Sequence, residues 1–244
     1  MVTEVIIVDG DSTDGTIDVA LGLRPDARIV RQVGRGKGSA LRSGFDAARG
    51  DIIVSIDADG STKPEEIVLF VDALLDGADY VKGSRFLRGG GSTDLTRLRS
   101  VGNLALTGLV RVIHGARFTD LCYGYNAFWA DVLPSLGLMS TGFEIETEMN
   151  LRAHRARLRV VEVPSQEVDR IYGTSNLRPF QDGWRVLKMI LRERVRRVPG
   201  ALDMEPVPHR TDDRPMAAFR VEPSATPLEV GFDLTPSESF AEAG

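Results

Sequence analysis

The sequence has little cysteine and no long apolar run. Cys122 is the only cysteine among 244 residues, so the fold contains no internal disulfide and does not depend on an oxidising compartment. No uninterrupted apolar segment reaches the ~18 residues of a membrane-spanning helix, and the N-terminal residues do not resemble a signal peptide. We therefore expect a cytoplasmic protein whose contact with a membrane would be peripheral.

A surplus of basic residues is also missing. The net charge is −5, and residues 199–244 hold nine acidic residues against three arginines, together with seven of the twelve prolines. This segment shows little periodic apolar patterning and is predicted to be a disordered acidic tail. Residues 1–198 are close to neutral, which argues against nucleic-acid binding because phosphate backbones attract basic surfaces.

Apolar strands alternate with helical segments through residues 1–198. Residues 5–8 form a continuous apolar run, and residues 52–56 are apolar except for Ser55; both are typical of strands that are buried on both faces of a sheet. Glycine-rich or acidic turns follow these runs, and helical segments follow the turns. The pattern predicts one doubly wound α/β domain with a mostly parallel sheet.

Acidic residues follow two of the predicted strands. Asp9 and Asp11 follow the first, and Asp57 and Asp59 follow the strand at 52–56. Ligands of open parallel sheets gather at the carboxyl ends of the strands, and carboxylates there can bind a hard divalent cation that neutralises a diphosphate. The alternative for Asp57 and Asp59 is that they only cap the helix that begins near Pro64, and Asp9 and Asp11 could only stabilise their turn.

Lys37 lies between two glycines that allow close backbone approach, as expected of a lysine that binds phosphate. The spacing around it fits neither a dinucleotide-binding motif nor a P-loop. The alternative is a solvated loop lysine.

Seven segments follow one another along the chain, at residues 8–16, 36–38, 50–59, 82–85, 119–124, 142–144 and 170–176. Taken together and in this order, they resemble the family-2 glycosyltransferases, especially the branch that includes dolichyl-phosphate mannosyltransferases. The resemblance covers about residues 4–193 and implies a nucleotide-diphospho-sugar transferase (GT-A) fold.

The resemblance implies roles for residues that bind the donor. Asp9 and Asp11 would lie beside the base and ribose of the nucleotide, and Lys37 would bind the nucleotide or its phosphates. Asp59 would be the principal ligand of Mg²⁺ or Mn²⁺, with Asp57 beside it. Arg170 would stabilise the departing diphosphate from a late loop that also contains Ser175.

Acceptor residues are implied in the same way. Arg85 and Arg99 match positions that contact the acceptor phosphate in the polyprenyl-phosphate branch, and surface salt bridges are the alternative for both. Asp120 or Glu144 would serve as a catalytic base if the acceptor were a hydroxyl group. The alternative is that these two acids only orient loops, because a phosphate acceptor needs no strong base.

The segment from Phe180 to Arg197 is predicted to be a helix with a basic face and an apolar face. It is typical of a helix that lies on a membrane surface. Packing on the body of the protein, with a solvated basic edge, is an equally open interpretation.

One departure from the family is expected. Family members usually begin 25 to 30 residues earlier, with an apolar strand and a segment that contacts the nucleotide. We therefore expect the domain at 1–198 to be N-terminally truncated and to lack a central strand.

The resulting functional prediction is an inverting, metal-dependent transfer of a hexose from GDP-mannose or UDP-glucose to a polyprenyl phosphate, at the inner face of the cell membrane. Two alternatives stay open. One is transfer to a saccharide or small-molecule hydroxyl, and the other is a truncated, non-catalytic binding protein.

Overall fold

The computed structural model describes residues 2–170 and 177–196. The predicted tail at 199–244 and Ser175 lie outside these ranges. Three-residue 3₁₀ turns occur at Pro64–Glu66 and Ala130–Val132. The strands are β1 (Ile6–Asp9), β2 (Arg28–Arg31), β3 (Ile52–Ser55), β4 (Tyr80–Ser84), β5 (Gly91–Ser92), β6 (Asn126–Trp129), β7 (Val160–Pro164) and β8 (Gln166–Glu167), and the helices are α1 (Thr16–Leu23), α2 (Lys37–Ala47), α3 (Ile67–Leu75), α4 (Arg97–His114), α5 (Leu133–Leu136), α6 (Ile145–Arg155) and α7 (Pro179–Val195).

The strands form three hydrogen-bonded groups within the described residues. β1 pairs with β2 in parallel, β5 pairs with β8 in parallel, and a four-stranded sheet has the order β3-β6-β4-β7. The α/β class and the alternation of strands and helices are confirmed. The predicted lack of a central strand stays a prediction.

The four-stranded sheet is more mixed than the sequence suggests. β6 is antiparallel to both β3 and β4, and only the β4–β7 pair of this sheet is parallel. The sequence analysis missed β6 because its four residues, Asn126–Trp129, do not alternate between polar and apolar. Such a short segment fits other kinds of core structure equally well.

Both faces of this sheet are covered, as a doubly wound fold requires. Consecutive residues of a strand point to opposite faces, so Tyr80 and Phe128 pack on one side with α2 and α6. Val81 and Ala127 pack on the other side with α3. A third buried cluster joins α4, α6 and α7.

Candidate active site

The two aspartates after β3 lie at the centre of the candidate site. Asp59 is fixed by its own turn, because its Oδ1 accepts hydrogen bonds from the backbone N–H of Ser61 at 3.0 Å and from the Ser61 hydroxyl at 2.7 Å. Its Oδ2 lies 3.3 Å from a guanidinium nitrogen of Arg170. Asp59 is thus held on one side and remains paired with a cation on the other.

Asp57 pairs with Lys37, the first residue of α2. The Lys37 ammonium lies 2.7 Å and 2.9 Å from the two Asp57 carboxylate oxygens, and 2.6 Å from Glu146 Oε1. Burial alone would lower the pKa of Lys37, but the charges of Asp57 and Glu146 outweigh it and raise the pKa. The lysine therefore remains a cation at the edge of the sheet.

Close backbone contacts assemble this group. A Cβ added at Gly36, which has a φ of +92°, would collide with the carbonyl oxygen of Thr141, so the α2 N-terminus can pack against this loop only with glycine there. At Gly124 an added Cβ would lie 2.7 Å from the Lys37 ammonium. The loop from Ser140 to Glu144 leads directly into α6, which brings Glu146 to Lys37.

Glu146 was not chosen by sequence analysis, which assigned the catalytic role to Glu144. Glu146 lies in the first turn of α6 and its side chain is 3% exposed. Glu144 precedes the helix and accepts a hydrogen bond from the Gly142 N–H at 3.2 Å, whereas Glu146 contacts Lys37. Alternation of glutamates at 144, 146 and 148 offered no way to distinguish them, because the choice depends on where α6 begins.

A second chain of ion pairs runs from Asp59 towards α4. Asp94 Oδ2 lies 2.9 Å from Arg170 and 3.1 Å from Arg99, so one carboxylate joins both arginines. A hydrogen bond from Arg170 is the largest cause that lowers the pKa of Asp94. Sequence analysis predicted both arginines and missed Asp94, whose loop position carries no motif.

Arg85 and Asp120 form a buried pair behind this surface. Arg85 Nε lies 2.7 Å from Asp120 Oδ2 and its Nη2 lies 3.0 Å from Oδ1, while Nη1 lies 3.1 Å from Glu167 Oε2. The Arg85 side chain is 4% exposed and Asp120 is fully buried. Burial would raise the pKa of Asp120, but the hydrogen bonds and charge of Arg85 lower it.

The predicted roles of these two residues would require this bridge to open. Every nitrogen of the Arg85 guanidinium already contacts a carboxylate, and both oxygens of Asp120 accept hydrogen bonds. The acceptor role of Arg85 and the base role of Asp120 therefore stay predictions. The geometry itself indicates that the pair ties the end of β4 to the loop before β6 and to β8.

Asp9 and Asp11 lie at the carboxyl end of β1. Asp9 is buried and accepts hydrogen bonds from the N–H groups of Asp11 and Ser12 at 2.9 Å and 3.1 Å, which stabilises the turn. Asp11 is exposed, pairs with Arg31 at 2.7 Å and lines a cavity of about 340 Å³. The other lining residues are Gly10, Gln32, Gly34, Arg35 and Gly36. This volume is at the lower end of the range typical of small-molecule sites.

Asp57 and Asp59, the carboxylates after β3, would supply only some of the ligands of a divalent cation. Among residues 2–170 and 177–196, no group of three His, Cys, Asp or Glu side chains is arranged to hold a metal ion. Mg²⁺ and Mn²⁺ at nucleotide sites commonly use one or two carboxylates, with phosphate oxygens and water as the other ligands. Asp57 and Asp59 supply that oxygen set, so the residues present fit the predicted cofactor.

Comparisons with known proteins identify the family of this chain. The family described as "Glycosyl transferase family 2" matches residues 1–130. Glycosyltransferase AglJ of Haloferax volcanii is 36% identical over 183 residues, which cover 73% of this chain and 59% of that protein. Undecaprenyl-phosphate mannosyltransferase of Micrococcus luteus is 33% identical over 185 residues, covering 72% of this chain and 76% of that protein.

A solved structure shares the fold. Glucosyl-3-phosphoglycerate synthase of Mycobacterium tuberculosis, in complex with Mn²⁺ and UDP-glucose, is 27% identical, with a TM-score of 0.60. The similarity covers 79% of this chain and 68% of that one. The chain spans 59% of the length of AglJ.

Proposed function

Because this chain belongs to glycosyl transferase family 2, we propose that it transfers a hexose from a nucleotide sugar to a polyprenyl phosphate with the help of Mg²⁺ or Mn²⁺. The proposed donor is GDP-mannose or UDP-glucose. Nucleotide base selection would fall to the cavity beside Asp11. Since the acceptor has a lipid tail, the proposed place of work is the inner face of the cell membrane.

One observation supports this proposal above the others: each aspartate of the Asp57-Ala58-Asp59 turn has a cation at its carboxylate. Lys37 pairs with Asp57 and Arg170 pairs with Asp59. A sugar diphosphate brings two or more negative charges, and it needs both a metal-binding carboxylate and nearby cations. Lys37 and Arg170 would bind the diphosphate oxygens as negative charge accumulates there during transfer.

Asp59, supported by Ser61, and Asp57 would hold the cation, which supplies charge neutralisation of the diphosphate when it is bound. Arg170 can leave Asp59 without losing all its partners, because Asp94 holds its other nitrogen. Glu146 would keep the Lys37 ammonium in place through its 2.6 Å contact.

The proposed reaction is inverting. A phosphate oxygen of the acceptor attacks the anomeric carbon from the face opposite the diphosphate, and the bond to the diphosphate oxygen breaks. The phosphate is already an anion, so no general base is required. Arg99, one carboxylate away from Arg170, is the candidate that binds the acceptor phosphate.

The test is transfer of radiolabelled sugar to undecaprenyl phosphate in detergent, with GDP-mannose and UDP-glucose as separate donors and with EDTA as the metal control. We expect an organic-soluble product that depends on Mg²⁺ or Mn²⁺. If neither donor gives an organic-soluble product although donor and metal still bind, the result would instead favour a non-catalytic binding protein.

A second candidate is transfer to the hydroxyl of a small acceptor such as 3-phosphoglycerate. The similarity to glucosyl-3-phosphoglycerate synthase favours it. A water-soluble labelled product with 3-phosphoglycerate, together with no lipid product, would establish this candidate and would require a base such as Asp120 or Glu144.

A further inference from the structure

Helix α4 exposes apolar side chains on the face that points away from the core. Asn103, Thr107 and Val110 are the buried residues of this helix. On the opposite side Leu98, Val101, Leu104 and Val112 are each more than half exposed. Positions 98, 101, 105, 108 and 112 follow helical spacing, and Ala105 and Gly108 continue the stripe, so the exposed face has no charged residue at its centre.

Helix α7 shows the same two-faced pattern. Val186, Met189 and Ile190 are buried against the body, which settles the packing of the predicted basic helix. Its outward stripe is formed by Phe180, Trp184, Leu191 and Val195, each about half exposed or more. Ile190 is fully buried.

The two helices are neighbours. Val110 of α4 and Val186 and Ile190 of α7 belong to one buried cluster, and the His114 ring contacts the backbone carbonyl of Ile190 at 2.9 Å. Both helices therefore share a core on one side, and each exposes an apolar stripe, rather than a single apolar residue, on its other side.

The charges on these helices have one sign where they meet solvent. α4 contains no acidic residue, and the two acidic residues of α7, Asp182 and Glu193, are buried. The exposed charged side chains are all cationic, namely Arg97, Arg111, Arg185, Lys188, Arg192 and Arg194. Apolar stripes flanked only by cations are complementary to a bilayer with anionic headgroups.

The surface also begins at the candidate site. Leu98, the first exposed apolar residue of α4, is followed by Arg99, which contacts Asp94 and through it Arg170. A bilayer lying on α4 would therefore place its headgroups beside the residue proposed to bind the acceptor phosphate.

We propose that the outward faces of α4 and α7 dock on the surface of an anionic lipid bilayer. This inference rests on the proposed function, because a polyprenyl phosphate resides in a bilayer, but its first test contains no donor and no acceptor. A second copy of the chain is the alternative partner for this surface. In such a dimer, the apolar stripes of one copy would be buried beside the same six cations of the other. Like charges facing each other across a dimer interface disfavour that arrangement.

The test is co-sedimentation of the full chain with phosphatidylcholine vesicles that contain 0 or 30% phosphatidylglycerol. We expect binding only to the anionic vesicles, weakened in 1 M salt because cations contribute. Lys188→Gln/Arg192→Gln/Arg194→Gln should weaken binding roughly a hundredfold, at about fivefold per lost cation. Val101→Ser/Leu104→Ser/Val112→Ser should weaken it at least tenfold.

A matched control removes three exposed valine or leucine residues elsewhere. Val19→Ser/Val68→Ser/Leu69→Ser deletes comparable exposed apolar area from α1 and α3, and should bind vesicles like the unchanged chain. Trp184 adds a spectroscopic readout: its emission should shift to shorter wavelength on binding, and Trp184→Phe should abolish that shift. Circular dichroism of every variant would identify any loss of fold.

Failure of the inference and failure of the proposed function give different results. Equal vesicle binding by the α4 variant, the charge variant and the control would overturn the docking surface, as would a wild-type chain that ignores anionic vesicles. A dimer that the α4 variant dissociates, without vesicle binding, would assign the surface to a second copy. Normal vesicle binding with no transfer to any acceptor would overturn only the proposed function.

Discussion

The Arg85–Asp120 pair provides a quantitative test of whether these residues hold the fold together. The perturbation is Asp120→Asn, which keeps the volume and removes the charge. Both Asp120 oxygens accept hydrogen bonds, from the N–H and guanidinium of Arg85 and from the Cys122 N–H. An amide nitrogen at either position would face donors, so the variant loses hydrogen bonds as well as charge.

The expected loss of stability is large because the pair is buried. Removing one partner of a buried ion pair costs about 3–5 kcal/mol, and for a domain of this size that lowers Tm by roughly 6–20 °C. Glu167 still contacts Arg85 at 3.1 Å, so we expect a value towards the lower end. The assay is thermal unfolding followed by circular dichroism at pH 7.

The chain contains a matched control for this experiment. Arg24 Nε and Nη2 donate to the two oxygens of Asp26 at 3.0 Å each, with the same two-pronged geometry as in the buried pair. Arg24 and Asp26 are exposed, however, and solvent screens them. Asp26→Asn should therefore leave Tm within experimental error. If Asp120→Asn lowered Tm no more than Asp26→Asn does, the structural role assigned to the pair would be refuted.

The pH dependence gives a second check on the same pair. The pKa of Asp120 is lowered in the folded state, so the unfolded chain binds more protons between the two pKa values and stability rises with pH there. The contribution is fully present above the unfolded pKa, about 3.9, and is lost as the pH falls through the folded pKa. The Tm difference between the unchanged chain and Asp120→Asn should therefore shrink as the pH falls below about 4.

Three further predictions concern the site and its surroundings. Asp59→Asn should abolish sugar transfer while melting behaviour stays nearly unchanged, and normal turnover would exclude Asp59 as a metal ligand. Gly124→Ala should displace the Lys37 ammonium, because an added Cβ would lie 2.7 Å from it. We expect the dissociation constant for the nucleotide diphosphate, measured by calorimetric titration, to rise roughly tenfold. Unchanged affinity would exclude Lys37 from the donor site. Burial and the charges of Glu146 and Asp120 raise the pKa of the Cys122 thiol to about 12, so alkylation at pH 8 should be roughly a thousandfold slower in the folded chain than in urea, and equal rates would contradict the raised pKa.

Local sequence was sufficient for the class of fold and for the first half of the candidate site. Apolar runs that end in acids, as at 5–11 and 52–59, indicate a strand and the sheet edge in a few consecutive residues. Their predicted burial on both faces was wrong, because residues 6–8 of β1 are only partly buried and β3 alternates between partly buried and buried residues. Glycines around Lys37 likewise report close backbone approach within one short segment. Such features are local, so no knowledge of distant residues was needed to predict them.

Partnerships between distant residues were decided by the tertiary structure. Glu146 joins Lys37 only because α6 begins at Ile145 and its N-terminus meets that of α2 across the Thr141 loop. Asp94 joins two predicted arginines from a loop without a motif, and Arg85 is buried by Asp120 and Glu167, which lie 35 and 82 residues further along the chain. Which face of α4 and α7 meets solvent was equally undecided, because apolar residues occur on both faces, polar residues such as Asn103 and Glu193 are buried, and only packing determines the exposed side. A pairing between residues far apart in the chain depends on the path of the backbone between them, and that path is fixed by the packed core.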